Sequence, residues 1–160
     1  GFPKWLKEGH PQDNQPVTLR DKHFTASFTG ALVKNVTQVS AASKLGDHTI
    51  IDARDADRFK GKAAEPRAGL RAGHIPGSTN LHYKELLNDD GTMKNKDSLQ
   101  SLFKKARINQ EKPIITTCGS GVTAAIISLA LEIVGYKNHS VYDGSWTEWG
   151  QFDQLPVEVG

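Results

Sequence analysis

Cys118 is the sole cysteine of the chain, and its neighbours are those that a reactive thiol needs. The stretch Thr116-Thr117-Cys118-Gly119-Ser120-Gly121-Val122-Thr123-Ala124 joins two contrasting segments. Before it runs Pro113-Ile114-Ile115-Thr116-Thr117, short and β-branched, which suits a buried strand; after it Val122 to Val134 is rich in Ala, Ile and Leu, which suits a helix. Cys118 is therefore expected to end a strand and open a turn. A helix leaves its first amides without internal partners and sets the positive end of its dipole behind them. Gly119 and Gly121 can take backbone angles that let successive N–H groups converge on one point. The anion held there would be the Cys118 sulfur, and the thiolate is the nucleophilic form of cysteine. The pattern points to nucleophilic catalysis, against the alternative of a small buried hydrophobe.

The elements that must position this turn alternate along the chain. Thr49-Ile50-Ile51-Asp52 reads as a buried strand, as do Ile114 to Thr117 and Ser140 to Tyr142, with a shorter strand near Ser78 to Leu81. Helices are expected from Val36 to Leu45, where Val36, Val39, Ala42 and Leu45 share a face and Gly46 gives the stop. Asp97 is expected to cap another helix, with Leu99, Leu102, Phe103 and Ala106 on its apolar side, and Tyr83 to Leu87 has room for one or two helical turns. Such alternation predicts an α/β fold, a parallel sheet with helices on both faces and right-handed crossovers. Sheets of that kind bind ligands beyond the carboxyl ends of their strands. Cys118 lies at one such end and Asp52-Ala53-Arg54 at another. Ala53 to Gly73 shows no periodicity and carries Arg54, Arg58, Arg67 and Arg71; a loop this long in a compact domain is commonly functional, and it is expected to reach the mouth where Cys118 sits.

The chain as a whole sets bounds. Its 160 residues suffice for one domain with a proper core. Twenty Lys plus Arg against 18 Asp plus Glu leave a formal charge of +2, with no basic run of the kind that binds nucleic acid or a membrane surface. A lone cysteine excludes an internal disulfide framework and a cysteine-based zinc site, and no metal or cofactor is expected. No apolar run is long enough to span a bilayer and no signal-peptide core is evident, which suggests a reducing, cytoplasmic setting. Gly1 to Gly9 reads as a short helix ending at Gly9, followed by a polar linker through Pro11, Asn14 and Pro16. Phe2 and Trp5 repeat the spacing of Trp146 and Trp149, so residues 1–30 are expected to be the tail of a preceding repeat and its linker, and 31–160 the catalytic domain.

Four motifs carry a resemblance. Asp52-Ala53-Arg54, Gly73-His74-Ile75-Pro76-Gly77, the loop Cys118 to Ala124, and Val141-Tyr142-Asp143-Gly144-Ser145-Trp146 occur in the order found in the rhodanese-like sulfurtransferase superfamily, and the similarity runs over about residues 30–150. The loop resembles that of the 3-mercaptopyruvate group, with Cys-Gly-Ser-Gly-Val, whereas thiosulfate sulfurtransferases usually carry basic residues where Gly119 and Ser120 stand. The resemblance implies that this is the second, catalytic repeat of a two-repeat enzyme. Cys118 would take sulfur from 3-mercaptopyruvate, form a persulfide as pyruvate leaves, and pass the sulfur to a thiol or cyanide acceptor. It further implies that Gly119, Gly121, Val122 and Thr123 hold the sulfur and substrate through loop amides and hydroxyls, that Ser120 relays a proton, and that Arg58 and Arg67 bind the substrate carboxylate. A planar guanidinium suits that task because its fork meets a carboxylate in two parallel bonds.

Histidine is a common general base, yet the resemblance makes the motif around His74 a structural turn and assigns the family's catalytic His and Asp to the first repeat. Trp146 and Trp149 read as core or mouth-lining aromatics. Two other classes compete. A cell-cycle type phosphatase also holds a cysteine on an anion-cradling loop, but it needs an Arg at the end of a longer loop, and position 124 is Ala. A non-catalytic rhodanese-like binding module usually lacks the cysteine that is kept here. Thiosulfate sulfurtransferase activity is the nearer alternative.

Overall fold

In the computed structural model, which describes residues 1–109 and 111–160, two β-branched runs lie side by side as β2 (Thr49–Asp52) and β4 (Ile114–Thr117). Their parallel register pairs Thr49 with Ile114 and Asp52 with Thr117, so both strands end at the same level. Beside β4 lies β5 (His139–Tyr142), and beside β2 lies β3 (Thr79–Asn80). A two-residue strand, β1 (Val33–Lys34), pairs with β5 and completes the five-stranded order β1-β5-β4-β2-β3, parallel throughout. This edge strand is too short to leave an alternating pattern in the sequence, and β3 is shorter than the expected Ser78 to Leu81.

Helices cover both faces, as the alternation predicts. Successive side chains of a strand point to opposite faces: Ile51 and Ile114 go to one core cluster with Leu99, Phe103, Ile127 and Leu131, while Ile50 and Ile115 go to the other with Val39, Tyr142, Trp146 and Trp149. The first face is closed by α4 (Lys96–Lys105) and α5 (Ala124–Val134), and the second by α2 (Val36–Leu45) and α6 (Ser145–Trp149). Each fully buried aliphatic or aromatic side chain contributes about 1.5–3 kcal/mol of transfer free energy.

Helix ends follow local chemistry. The side chain of Asn35 accepts from the Gln38 amide while Gln38 reaches back to the Asn35 amide, a capping box for α2, and Gly46 ends the helix in the left-handed region at φ 64°. For α4 the cap is Asn95, which accepts from the Ser98 amide at 2.9 Å. The expected cap, Asp97, lies instead in the first turn. Asn caps as well as Asp does, and Asp97, the second residue of the helix, still meets the positive end of the dipole. The N-terminal helix, α1 (Phe2–Lys7), ends at Glu8, with Gly9 just beyond it at φ 71°. No residue before Val39 is buried. Among the described residues no helix is long and apolar enough to cross a membrane.

Candidate active site

The common level of Asp52 and Thr117 brings two loops out of the sheet together, tied where the Ala53 amide donates to the Thr117 carbonyl at 2.9 Å. One loop leads through Asp55, whose carboxylate accepts from the Arg58 amide at 3.0 Å and caps the four-residue helix α3 (Ala56–Phe59). This single turn is too short to show a period, so the segment from Ala53 reads as irregular in sequence. It is what aims Arg58. The other loop begins at Cys118, buried to 2% exposure at the end of β4, and wraps the start of α5.

Between them opens a cleft of about 260 Å³, lined by Arg58, Arg67, Cys118, Gly119, Ser120, Val122 and Thr123, together with Glu65, Pro66, Leu70 and Thr147. The structure thus gathers the sequence-predicted site residues in one place, with the exception of Gly121, which is buried behind the loop and does not line the cleft. Gly121 takes φ +81°, and a Cβ there would come within 2.8 Å of the Asp143 carbonyl oxygen. Gly119, contrary to expectation, does not take a left-handed φ; its small size matters because a Cβ would stand 3.0 Å from Nη2 of Arg58. The helix starts at Ala124, two residues later than expected, because Val122 and Thr123 belong to the turn. Among the described residues, the amides of Gly119 to Thr123 donate no hydrogen bond within the chain. These amides, backed by the dipole of α5, are the groups available to an anion in the cleft.

The backbone of the cysteine is held from behind by the start of α6. The Trp146 amide donates to the Cys118 carbonyl and the Thr147 amide to the Gly119 carbonyl, both at 2.9 Å. The Thr147 hydroxyl donates to the same Gly119 carbonyl at 2.6 Å, and Nη1 of Arg67 donates to the Thr147 hydroxyl.

Glu65 was not singled out from the sequence, yet its carboxylate, with a side chain 2% exposed, organises the arginines. It accepts Nη2 of Arg58 at 2.6 Å and Nη1 of Arg54 at 2.8 Å. Arg54 in turn pairs with Asp52 at 2.7 Å and lies 4.4 Å over the ring of Trp146. Burial disfavours the charge on Arg58, but the Glu65 carboxylate more than offsets this and holds its pKa above the usual arginine value. The only sequence signal for Glu65 is its place in Glu65-Pro66-Arg67. His74 is buried, its Nδ1 2.7 Å from the Phe59 carbonyl and its ring stacked on Phe59 at 3.7 Å, and it does not line the cleft. Trp146 and Trp149 are core residues, at 1% and 0% exposure.

Residues 35–152 match the family described as Rhodanese-like domain. The chain belongs to this family. The rhodanese-like domain is 42% identical over 158 residues to the 3-mercaptopyruvate sulfurtransferase of Escherichia coli (strain K12), a match that covers 99% of this chain and 56% of that protein. It is 38% identical over 160 residues to the thiosulfate sulfurtransferase of Bos taurus, covering 99% of this chain and 53% of that protein. The crystal structure of SseA from Escherichia coli, described as a 3-mercaptopyruvate sulfotransferase of rhodanese fold, superposes with a TM-score of 0.79 at 39% identity, over 91% of this chain and 54% of that one. The chain spans about half the length of the curated relatives it matches.

Proposed function

We propose that this rhodanese-like domain is the catalytic half of a sulfurtransferase that moves sulfur from 3-mercaptopyruvate through a Cys118 persulfide to a thiol or cyanide acceptor. The observation that carries the reading is the cleft itself: one cysteine, a loop with its amides uncommitted, two arginines, and a neutral Gly119-Ser120 pair between them. The Cys118 thiolate attacks the substrate sulfur. The S–S bond forms as the C–S bond breaks, the electron pair passes to carbon, and the enolate of pyruvate takes up one proton, which Ser120 relays. An acceptor thiolate or cyanide then attacks the outer sulfur, and the S–S electron pair returns to Cys118. The amides of Gly119 to Thr123 hold the charge on sulfur throughout, and Arg67 and Arg58 orient the carboxylate.

Thiosulfate is the competing donor, favoured by the likeness to the bovine enzyme. Against it stands charge: this dianion must bring its negative groups up to an anionic sulfur, and the loop offers only amide dipoles there. Residues 1–30 are read as the tail of a preceding rhodanese repeat and linker, because Val17, Leu19, Phe24 and Phe28 are each at least 80% exposed and the relatives are about twice as long. We also propose a reducing, cytoplasmic setting, which a single thiol suits.

Intact-mass measurement tests the reaction. Incubation with 3-mercaptopyruvate should add about 32 Da, one sulfur, to the protein and nothing to Cys118→Ser. An unchanged mass in the full-length protein overturns the proposal, and loading by thiosulfate alone gives the competing donor.

A further inference from the structure

We propose that Ser145 is a positioning residue for Cys118, acting through the cysteine's own amide; the proposal rests on the reading of Cys118 as the nucleophile. Ser145 lies 27 positions away in sequence, has a fully buried side chain, and adopts φ +49°. That is left-handed backbone, which a residue with a Cβ enters at a cost and glycine enters freely. If only the turn into α6 mattered, glycine would serve better.

The hydroxyl supplies the reason for keeping a side chain. It donates to the Tyr142 carbonyl at 2.8 Å, accepts the Cys118 amide at 3.1 Å, and accepts the Thr117 hydroxyl at 3.4 Å. A serine hydroxyl has one proton and two lone pairs, so its capacity is saturated, and two of the three bonds go to the last strand residue and the cysteine. A strained backbone that carries a fully used polar group is the pattern found where structure is held for function.

The consequence is a division among the amides of the loop. The Cys118 N–H is tied back to Ser145, and the Cys118 carbonyl to the Trp146 amide at 2.9 Å. Both faces of this residue's backbone are thus fixed, and with them the direction of its Cα–Cβ bond. The amides of Gly119 to Thr123 remain for the sulfur. Without the hydroxyl, the buried Cys118 N–H has no partner, and the peptide before it is free to rotate towards one.

Two substitutions in the full-length protein, Ser145→Gly and Ser145→Ala, separate positioning from folding. Both remove the hydroxyl, and glycine also removes the left-handed strain. Ser145→Gly should lower the thermal midpoint less than Ser145→Ala, because glycine relieves the left-handed strain while both lose the hydroxyl's hydrogen bonds. Both should slow iodoacetamide alkylation of Cys118 by a similar factor, roughly tenfold, the size of one net hydrogen bond. In sulfur transfer kcat should fall by the same factor with KM for the donor nearly unchanged, since no substrate-contacting group is altered. Alkylation needs no sulfur donor, so it reads Ser145 even if the donor assignment is wrong. Wild-type alkylation rate and kcat in a folded Ser145→Gly protein, or reactivity that tracks thermal stability across both variants, overturns the proposal.

Discussion

Arg58 and Glu65 form a forked ion pair on the wall of the cleft, Nη2 to Oε2 at 2.6 Å and Nε to Oε1 at 3.2 Å. The same carboxylate holds the buried Arg54, so much of the Arg58 charge and geometry is already committed before any substrate enters. Arg67 differs: it is exposed, and among the described residues no carboxylate pairs with it.

The two arginines should therefore fail differently when replaced. Arg67→Ala should raise KM for 2-oxo acid donors by about 10- to 150-fold, the worth of a charge-assisted bidentate pair, with little change in stability. Arg67→Lys should recover little, because the ammonium lacks the fork. Arg58→Ala should also raise KM, but it strips the buried Glu65 of one partner and should lower stability by roughly 1–3 kcal/mol. Steady-state kinetics with thermal unfolding of each variant checks this; equal stability losses in both would contradict it.

Loop charge should set the choice of donor. Ser120 is exposed and lines the cleft, so Ser120→Lys adds a cation beside the nucleophile and removes the proposed proton relay. Both effects should move the kcat/KM ratio towards thiosulfate, by about tenfold or more at an effective dielectric near 20, and rising salt should shrink the gain. Adding Gly119→Arg should give less than a further equal step, because a side chain at 119 must first displace Arg58, 3.0 Å from where its Cβ would sit. Ratios measured for both donors at two ionic strengths decide the matter.

Gly121→Ala should disable the loop from behind. The substitution meets both a left-handed φ of +81° and the Asp143 carbonyl oxygen at 2.8 Å. It should cost about 1–3 kcal/mol of stability and abolish sulfur loading, read by intact mass. Wild-type loading in this variant would show that the loop tolerates a different path.

On the proposed reading, in which a preceding repeat supplies general acid–base groups, the 160-residue chain by itself should turn over mercaptopyruvate about 10²- to 10⁴-fold more slowly than the two-repeat protein. Val122, at 72% exposure beside Cys118, marks an open side of the cleft that a preceding repeat would close. Comparison of kcat for the two proteins is the check, and equal turnover would place the whole machinery within this chain.

What the sequence alone determined lies close together along the chain. A β-branched run, a cysteine, two glycines and an apolar helix fall within about twenty consecutive positions, and such local order is written in composition and period. The strand β4, the turn, the helix α5 and the cleft-lining Cys118, Gly119, Ser120, Val122 and Thr123 were legible for that reason, as was the alternation that implies a parallel sheet with helices on both faces. Where two residues two positions apart were equally able to cap a helix, Asn95 and Asp97, local chemistry did not discriminate, and the two-residue β1 left no pattern to read.

Tertiary structure alone decided which distant groups meet. The register of Asp52 against Thr117 brings the arginine-bearing loop to the cysteine, and register depends on packing across the sheet, which no single segment encodes. Glu65 gains its role only where burial places it between Arg54 and Arg58. Ser145 gains its role only where the start of α6 folds back on Cys118. A carboxylate in an irregular loop, or a hydroxyl at the first residue of a short helix, has no periodicity to betray its partner; desolvation and hydrogen bonding assign one once the chain has closed around it.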